Sequence, residues 1–339
     1  MTGSTQCPIR RKKSKMGNIL ENALAGAETV AILGHIHPDG DCIGSVLGLY
    51  NYLADNAPEK RVDVYLDHPA EKFGYLRYFD RILTEPDDDK AYGLCISLDA
   101  SDRERLGDYG GVFDRAAHTL CIDHHRTNRE FAEENLVRGG ASSCAEVLYE
   151  LLEEDCIGKE TAECLYTGII HDTGVLRYSS TSARTMEIAG ILMEKGIDFT
   201  GIIDDSFYRR TYLQNRILGC ALLKSRLYLD GRCIASVLSL QNIEDYGADS
   251  KDLDGIIDQL RITAGVECAV FIYEKTPGEF KVSLRSNRYL DVSRIAQSFG
   301  GGGHVRASGC TVRGGSPDEV LEEVVGMIAL GMQEDGRDH

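Results

Sequence analysis

No CxxC pair occurs anywhere in this chain of 339 residues, although it holds 11 cysteines. That spacing excludes the usual paired-thiol zinc and redox motifs. The cysteines are scattered through apolar segments, among them Cys95, Cys121, Cys164 and Cys268. Free buried thiols in a reducing cytoplasm are the expectation for them. Long hydrophobic runs are missing too: nothing approaches the roughly 20 residues that cross a bilayer, and no signal-peptide core follows the basic N-terminus. A cytoplasmic protein without membrane contact is expected. Positive charge is also scarce, with 37 Lys and Arg against 54 Asp and Glu and a net charge of -17. Such a balance argues against wrapping long nucleic acid through a broad phosphate-binding surface. Internal repeats and low-complexity blocks are absent.

What is present is ordinary for a globular protein: 42% hydrophobic and 27% charged residues, on a chain long enough for two cores. The first half alternates short apolar strands (29–33, 61–66, 93–98, 118–122) with helical patterns (43–54, 143–154, 160–171, 184–195). That alternation predicts an α/β domain with a parallel sheet and helices on both faces. Ser142 or Ser143 with Glu146 resembles a capping box. From about Leu227 the pattern changes to strands near 227–229, 232–239, 267–274 and 279–285, with helices near 252–261, 291–298 and 317–332. A smaller α+β domain is predicted there. The expected organisation is a basic, disordered tail at 1–16, a first domain at 17–205, a connector at 206–226 and a second domain at 227–335.

The few basic residues are unevenly placed. Residues 1–16 carry Arg10, Arg11, Lys12, Lys13 and Lys15 and no acid. They read either as an RNA- or anion-binding arm or as a plain extension, with Met16 as the functional start. Residues 281–306 hold Lys281, Arg285, Arg288, Arg294 and Arg306 against Asp291. A basic patch on an acidic chain suggests a small anionic substrate in a pocket. Arg261 either joins that patch or is a helix C-terminal charge.

Four apolar elements end in ionisable residues. His35, Asp39 and Asp41 follow the strand Thr29 to Leu33, in a turn that Pro38 and Gly40 keep out of regular helix. Alone, this is either a metal site for a hard or borderline ion or a capped strand-to-helix turn. Ile96-Ser97-Leu98 then ends in Asp99, Leu120-Cys121-Ile122 in Asp123-His124-His125, and a helical pattern closes on His171-Asp172. Several elements ending this way point to one shared metal site at the carboxyl edge of a sheet.

These four stretches, in order, resemble the N-terminal motifs of the DHH phosphoesterase superfamily. Phe299-Gly300-Gly301-Gly302-Gly303-His304 resembles the GGGH signature of the DHH-associated C-terminal domain, as do the flanking segments 282–286 and 291–296. The resemblance covers nearly the whole chain and is nearest the subgroup of bifunctional oligoribonucleases and pAp phosphatases. It makes 17–205 the catalytic domain and 227–335 the substrate-binding domain. It implies two divalent ions: one held by His35, Asp39 and Asp99, the other by Asp41, Asp99, His124 and Asp172, so that Asp99 bridges. Mixed oxygen and nitrogen ligation favours Mn2+, with Co2+ or Mg2+ as substitutes. His125 is expected to face the substrate phosphate, with Asp123 either orienting it from behind or serving as a simple turn acid. His37 and His171 fall outside the ligand positions. Arg103 either contacts phosphate or pairs with Glu104 or Asp102 on the surface. Arg285, Ser286, Gly301, Gly302, Gly303 and His304 are implied to hold the substrate's terminal phosphate and base, with the glycines letting amides approach an anion.

The implied activity is hydrolysis of very short RNA to mononucleotides and of 3′-phosphoadenosine 5′-phosphate (pAp) to AMP. The implied partners are a short RNA or nucleotide, no long nucleic acid, and a second copy in a homodimer. The alternatives are a phosphodiesterase acting mainly on cyclic di-AMP or linear pApA, a pyrophosphatase or polyphosphatase, and a silent nucleotide sensor. The GGGH segment argues against the pyrophosphatase, and the complete ligand set argues against the sensor.

Overall fold

The computed structural model describes residues 18–335, so the basic stretch 1–16 lies outside the described residues. The chain divides into two units, with the boundary between Arg209 and Arg210. Most of the expected connector is a helix, Tyr212–Lys224, that belongs to the second unit.

The first unit begins with α1 (Ile19–Ala25) and then alternates strands and helices. Its strands are β1 (Thr29–Leu33), β2 (Arg61–Tyr65), β3 (Leu94–Leu98), β4 (His118–Asp123) and β5 (Glu134–Val137). Its larger helices are α2 (Gly40–Asn56), α3 (Gly110–Asp114), α4 (Cys144–Leu151), α5 (Lys159–Asp172), α6 (Ala183–Glu194) and α7 (Phe199–Ile203). All five strands are parallel, in the order β2-β1-β3-β4-β5. Alternate residues of β1 serve the two faces. Val30 and Ile32 pack with Val46, Leu148 and Ile169 from α2, α4 and α5. Ala31 and Leu33 pack with Leu106, Tyr109, Val112 and Phe113 on the other side. Helices therefore cover both faces, as the strand pattern predicts, and each buried Ile or Leu contributes about 1.5–3 kcal/mol.

The strand order has a consequence for function. The chain leaves β1 for β2 on one side and returns to β3 on the other, so the carboxyl ends of β1 and β3 flank the point where the winding reverses. Open α/β sheets bind ligands in that crevice. His35 follows β1 and Asp99 follows β3.

The second unit contains α8 (Tyr212–Lys224), β6 (Arg226–Tyr228), β7 (Cys233–Leu238), α9 (Leu240–Tyr246) and α10 (Ile256–Arg261). It continues through β8 (Cys268–Thr276), β9 (Glu279–Ser286), α11 (Val292–Ser298), β10 (Gly302–His304), β11 (Ala307–Arg313) and α12 (Pro317–Asp335). The strands form one mixed sheet, β10-β11-β9-β8-β7-β6. Alternation along β8 again splits two cores. Val270 and Ile272 pack with Ile295 and Val324 from α11 and α12. Ala269 and Phe271 pack with Ile217 and Leu260 from α8 and α10. The helix expected at 252–261 starts only at Ile256, because Gly255 takes a left-handed φ of 74° and separates it from a short 3-10 turn. No described helix is long and apolar enough to cross a membrane, and every described cysteine is a free thiol.

Candidate functional site

Asp39 caps α2, its Oδ1 accepting from Asp41 N at 3.0 Å and Cys42 N at 3.1 Å. The cap starts the helix immediately after the β1 turn and leaves Asp41 in its first turn, buried. α5 crosses α2 at glycine. A Cβ on Gly44 would lie 2.5 Å from the Cys164 carbonyl, and one on Gly168 would lie 2.6 Å from Ala145 Cβ and 2.7 Å from Asp41 Oδ1. This close crossing carries the end of α5, and with it Asp172, to the start of α2. At the end of β3, Asp99 takes a left-handed φ of 58°. That conformation is uncommon but more accessible to Asp than to most residues, and it re-aims the side chain out of the strand direction.

The side chains converge. His35 Nε2 lies 3.9 Å from Asp39 Oδ1 and 3.5 Å from Asp99 Oδ2. His124 Nε2 lies 3.8 Å from Asp41 Oδ2, 3.5 Å from Asp99 Oδ1 and 3.4 Å from Asp172 Oδ2. The six expected ligands thus form two groups, and Asp99 offers one oxygen to each. These separations exceed hydrogen-bond lengths and suit donor atoms arranged around an ion.

Three observations test whether a metal fits. Asp99 is 2% exposed, and its Oδ1 has no hydrogen-bond partner although it is fully buried. An unsatisfied buried carboxylate oxygen is costly unless a cation completes it. The donors are carboxylates and imidazoles, with the Cys42 thiol beside His35 and Asp99 but pushed up to about 11 by burial; the carboxylate and imidazole set suits divalent ions of intermediate hardness. The third observation is electrostatic. Burial and the neighbouring carboxylates Asp99 and Asp172 push the Asp41 carboxyl well above its usual range. Burial raises Asp172 to about 7, with Asp99 and Asp39 adding to the rise against His124. Burial alone would pull His124 down, but Asp99 and Asp41 outweigh it and bring it to about 10. Burial would likewise raise Asp99, yet His124 and His35 hold it well below the carboxylate range. Protons sit where positive charge is wanted, and the residues fit a metal centre.

The surrounding contacts orient this set. Asp41 Oδ2 accepts from Cys144 N at 2.6 Å and Oδ1 from Ala145 N at 3.0 Å, so the start of α4 holds the carboxylate. Ser143 caps α4 through Glu146 N, as expected, but Glu146 does not close a reciprocal box with it. Its carboxylate instead accepts from Ser142 Oγ and from Thr185 Oγ1 at 2.7 Å, tying α4 to α6. The other fixed carboxylate, Asp123, is fully buried. Its Oδ1 accepts from His125 Nδ1 and from His124 N, both at 2.8 Å, and its Oδ2 accepts from Asn128 Nδ2 at 2.7 Å. The arrangement fixes the His125 ring, and the Asp123 bond raises its pKa above the ordinary value despite partial burial.

Two polar partners have no signal in the sequence. Asn128 is one. Arg105 is the other, its Nη2 lying 3.0 Å from His35 Nδ1, while the Ile36 carbonyl lies 2.8 Å from the same nitrogen. The two bonds need opposite tautomers. With hydrogen on Nδ1 the ring donates to Ile36 O and turns the Nε2 lone pair toward Asp39 and Asp99, as a metal ligand must.

The remaining expected residues fall elsewhere. Arg103 is taken up by Asp114, its Nε donating to Oδ1 at 2.9 Å and to Oδ2 at 3.1 Å, a surface pair with neither of the two anticipated acids. His37 is exposed beside Asp67. His171 packs against Phe73 and Phe207, and its Nε2 meets Ser206 Oγ at 3.0 Å; burial and Lys72 lower it to about 3. It is a neutral packing residue, and a Cβ on Gly40 would strike its ring. In the second unit His304 is exposed in the edge strand β10, and Arg285 Nε lies 3.6 Å from Asp258 Oδ1. Ser286 departs from its expected role: it is buried, and its hydroxyl donates to Leu290 O at 2.7 Å, closing the β9 turn. Gly301 and Gly303 are demanded by packing, since added Cβ atoms would lie 2.2 Å from Gly309 O and 2.6 Å from Ala307 O. Gly302 faces open space.

Comparison with known proteins places the chain among relatives. The model of the DHH family, N-terminal domain, matches residues 29–169, and that of the DHHA1 domain matches residues 230–329. Over 326 residues the chain is 30% identical to the bifunctional oligoribonuclease and PAP phosphatase NrnA of Thermus thermophilus, covering 94% of each chain. It is 26% identical over 296 residues to the Bacillus subtilis protein of the same name, covering 84% of this chain and 90% of that one. Among solved structures, an exopolyphosphatase-related protein from Bacteroides fragilis superposes with a TM-score of 0.83 at 26% identity, covering 93% of this chain and 94% of that one.

Proposed function

The chain belongs to the DHH family of phosphoesterases, and from that membership we propose that it hydrolyses very short RNA oligonucleotides to mononucleotides and converts pAp to AMP, using Mn2+. The observation that carries the reading is Asp99, whose two oxygens face His35 and His124 and whose Oδ1 has no hydrogen-bond partner. Both substrates present the same problem: water must attack a phosphorus whose leaving group is a nucleoside 3′-oxygen. One active site then serves both, because pAp is a dinucleotide cut short after the scissile phosphorus.

His35, Asp39 and Asp99 would hold one ion; Asp41, Asp99, His124 and Asp172 would hold the other. Bound divalent ions supply Lewis acidity toward phosphoryl oxygens and lower the pKa of water. The protein's own residues do the rest. The amides of Cys144 and Ala145 hold Asp41 in a single orientation. Asp123, itself fixed by Asn128, keeps hydrogen on His125 Nδ1 and supports the protonated ring. His125 is therefore the group to donate from Nε2 to a phosphoryl oxygen as charge builds there. Arg285 and His304 are assigned to the substrate's terminal phosphate. The free thiols support a reducing, cytoplasmic setting.

The test is turnover by purified protein with Mn2+ on labelled RNA of two to about twenty nucleotides, with pAp, pApA and cyclic di-AMP alongside. Mononucleotide release from the shortest RNA and AMP from pAp are expected, with activity falling on longer chains. Preference for cyclic di-AMP or pApA over both would overturn the reading.

A further inference from the structure

At one end of the second unit's sheet three strands stop in register, where Cys233 of β7, Cys268 of β8 and Ser286 of β9 stand side by side. The next residues outward are tied by main-chain bonds. Glu267 N and Cys268 N donate to Arg232 O at 2.8 and 3.0 Å, and Asn287 N donates to Glu267 O at 2.9 Å. α10 ends there with Arg261, whose Nη1 donates to Asn287 Oδ1 at 3.1 Å; Asn287 Nδ2 returns bonds to Arg261 O at 2.9 Å and Val266 O at 2.8 Å. These ties frame a cleft of about 550 Å³ walled by Arg232, Arg261 and Arg288.

The acid in that wall is sequestered. Glu267 is 5% exposed, and its Oε1 accepts from Tyr289 N and Leu290 N, both at 2.9 Å, and from Arg288 N at 3.2 Å. Its charge is spent on the turn after β9 instead of on the guanidiniums. Arg232 donates through Nε to Leu229 O at 3.2 Å, and neither Arg232 nor Arg288 forms an ion pair among the described residues. Among the described residues the one acid paired with Arg261 is Asp258, at 3.8 Å. Three guanidiniums outnumber the acids at this cleft, where Glu267 is bonded to main-chain amides and Asp258 stands 3.8 Å from Arg261; on a chain of net charge -17 that surplus calls for an anion. Guanidinium forks match the paired oxygens of a phosphate, and the volume suits a small molecule. Ile262, 54% exposed, and Tyr289 offer apolar surface at the same cleft for whatever carries the phosphate. None of Gly301, Gly302, Gly303, His304 or Arg285 lines it.

We propose that the cleft of Arg232, Arg261 and Arg288 binds the phosphate of a nucleotide, as a site separate from the glycine segment. The choice of a nucleotide as the bearer rests on the phosphoesterase reading above.

The test is arginine-selective labelling of the full-length protein with phenylglyoxal, followed residue by residue by mass spectrometry, with AMP, adenosine or no addition. Saturating AMP is expected to slow labelling of Arg232 and Arg288 about tenfold, as occupancy competes with reagent. Adenosine should leave both rates unchanged, and Arg313, paired with Glu279 on the surface, should be indifferent to either. In Arg288→Ala, AMP should no longer protect Arg232, while hydrolysis of bis-p-nitrophenyl phosphate stays at its wild-type rate. Arg232 and Arg288 labelled equally fast with AMP and with adenosine would overturn the proposal, as would full protection of Arg232 persisting in the variant. The readout needs no turnover. Protection in an inert protein would reject the phosphoesterase reading alone, and turnover without protection would reject the cleft alone.

Discussion

Asp99→Asn is the most informative single change. The side chain keeps its shape, but one of the two oxygens that face His35 and His124 becomes an amide nitrogen, and one charge leaves a position shared by both ligand groups. A unit charge interacting with another at about 4 Å in an effective dielectric of about 20 is worth about 4 kcal/mol, and a divalent ion doubles the interaction. Each ion site therefore loses at least roughly a thousandfold in affinity, before counting the amide hydrogens that now point at a cation. The assay has two parts: metal content by elemental analysis after gel filtration, and turnover of pAp across Mn2+ concentrations. A melting curve in chelator checks that the variant folds. Both metals should be lost together, and turnover should fall far below a tenth of wild type even at the highest Mn2+. If Asp99→Asn retains more than about a tenth of wild-type activity at saturating Mn2+, the shared-ligand reasoning is wrong.

Other changes separate the neighbouring roles. His124→Ala should strip metal, whereas His125→Ala should keep its metal and lose on the order of a hundredfold or more in kcat; equal metal loss in the two variants contradicts the division. Asp123→Asn removes the negative charge that, through the bond to His125, raises the His125 pKa, so the protonated fraction shrinks at neutral pH and the alkaline limb of the kcat profile should move to lower pH. An unmoved limb would remove His125 from proton donation. In the metal-free protein the Asp99 and Asp41 carboxylates raise His124 above the ordinary imidazole range, so Mn2+ binding must expel its proton and affinity should rise with pH between 6 and 8; calorimetry in buffers of different ionisation heat reads the release, and a pH-independent affinity would refute it. Gly168→Ala forces a Cβ to within 2.7 Å of Asp41 Oδ1 and 2.6 Å of Ala145 Cβ, and should cost about 1–3 kcal/mol of stability together with metal affinity; an unchanged melting temperature would mean that α2 and α5 are not held at this contact.

The strand ends were legible because buried β-branched runs such as Thr29–Leu33 stop abruptly at ionisable residues, and a parallel sheet then places those ends on one edge. What escaped was non-local. Arg105 reaches His35 across 70 positions, and Cys144 N reaches Asp41 across 103, distances over which one sequence carries no spacing signal. β5 was missed because Glu134–Val137 is a short, half-buried edge strand without alternation. The glycine segment read as an anion-cradling loop, yet Gly302–His304 pairs with β11 as an edge strand, and Gly301 and Gly303 are required by its close packing. Glycine has little strand propensity, so the neighbouring chain sets that conformation. Ser286 sat in a basic patch but points inward, since alternation along β9 buries it while Arg285 stays at the surface.

Asp99, with one oxygen toward His35 and the other toward His124, would serve two metal ions at once. Titration of metal-free protein with Mn2+, followed by electron paramagnetic resonance, tests it directly. The account predicts saturation at two ions per chain with the signal of an exchange-coupled pair, and only uncoupled, weak binding in Asp99→Asn. Saturation at a single ion, or two ions with no coupling in the wild type, would contradict it.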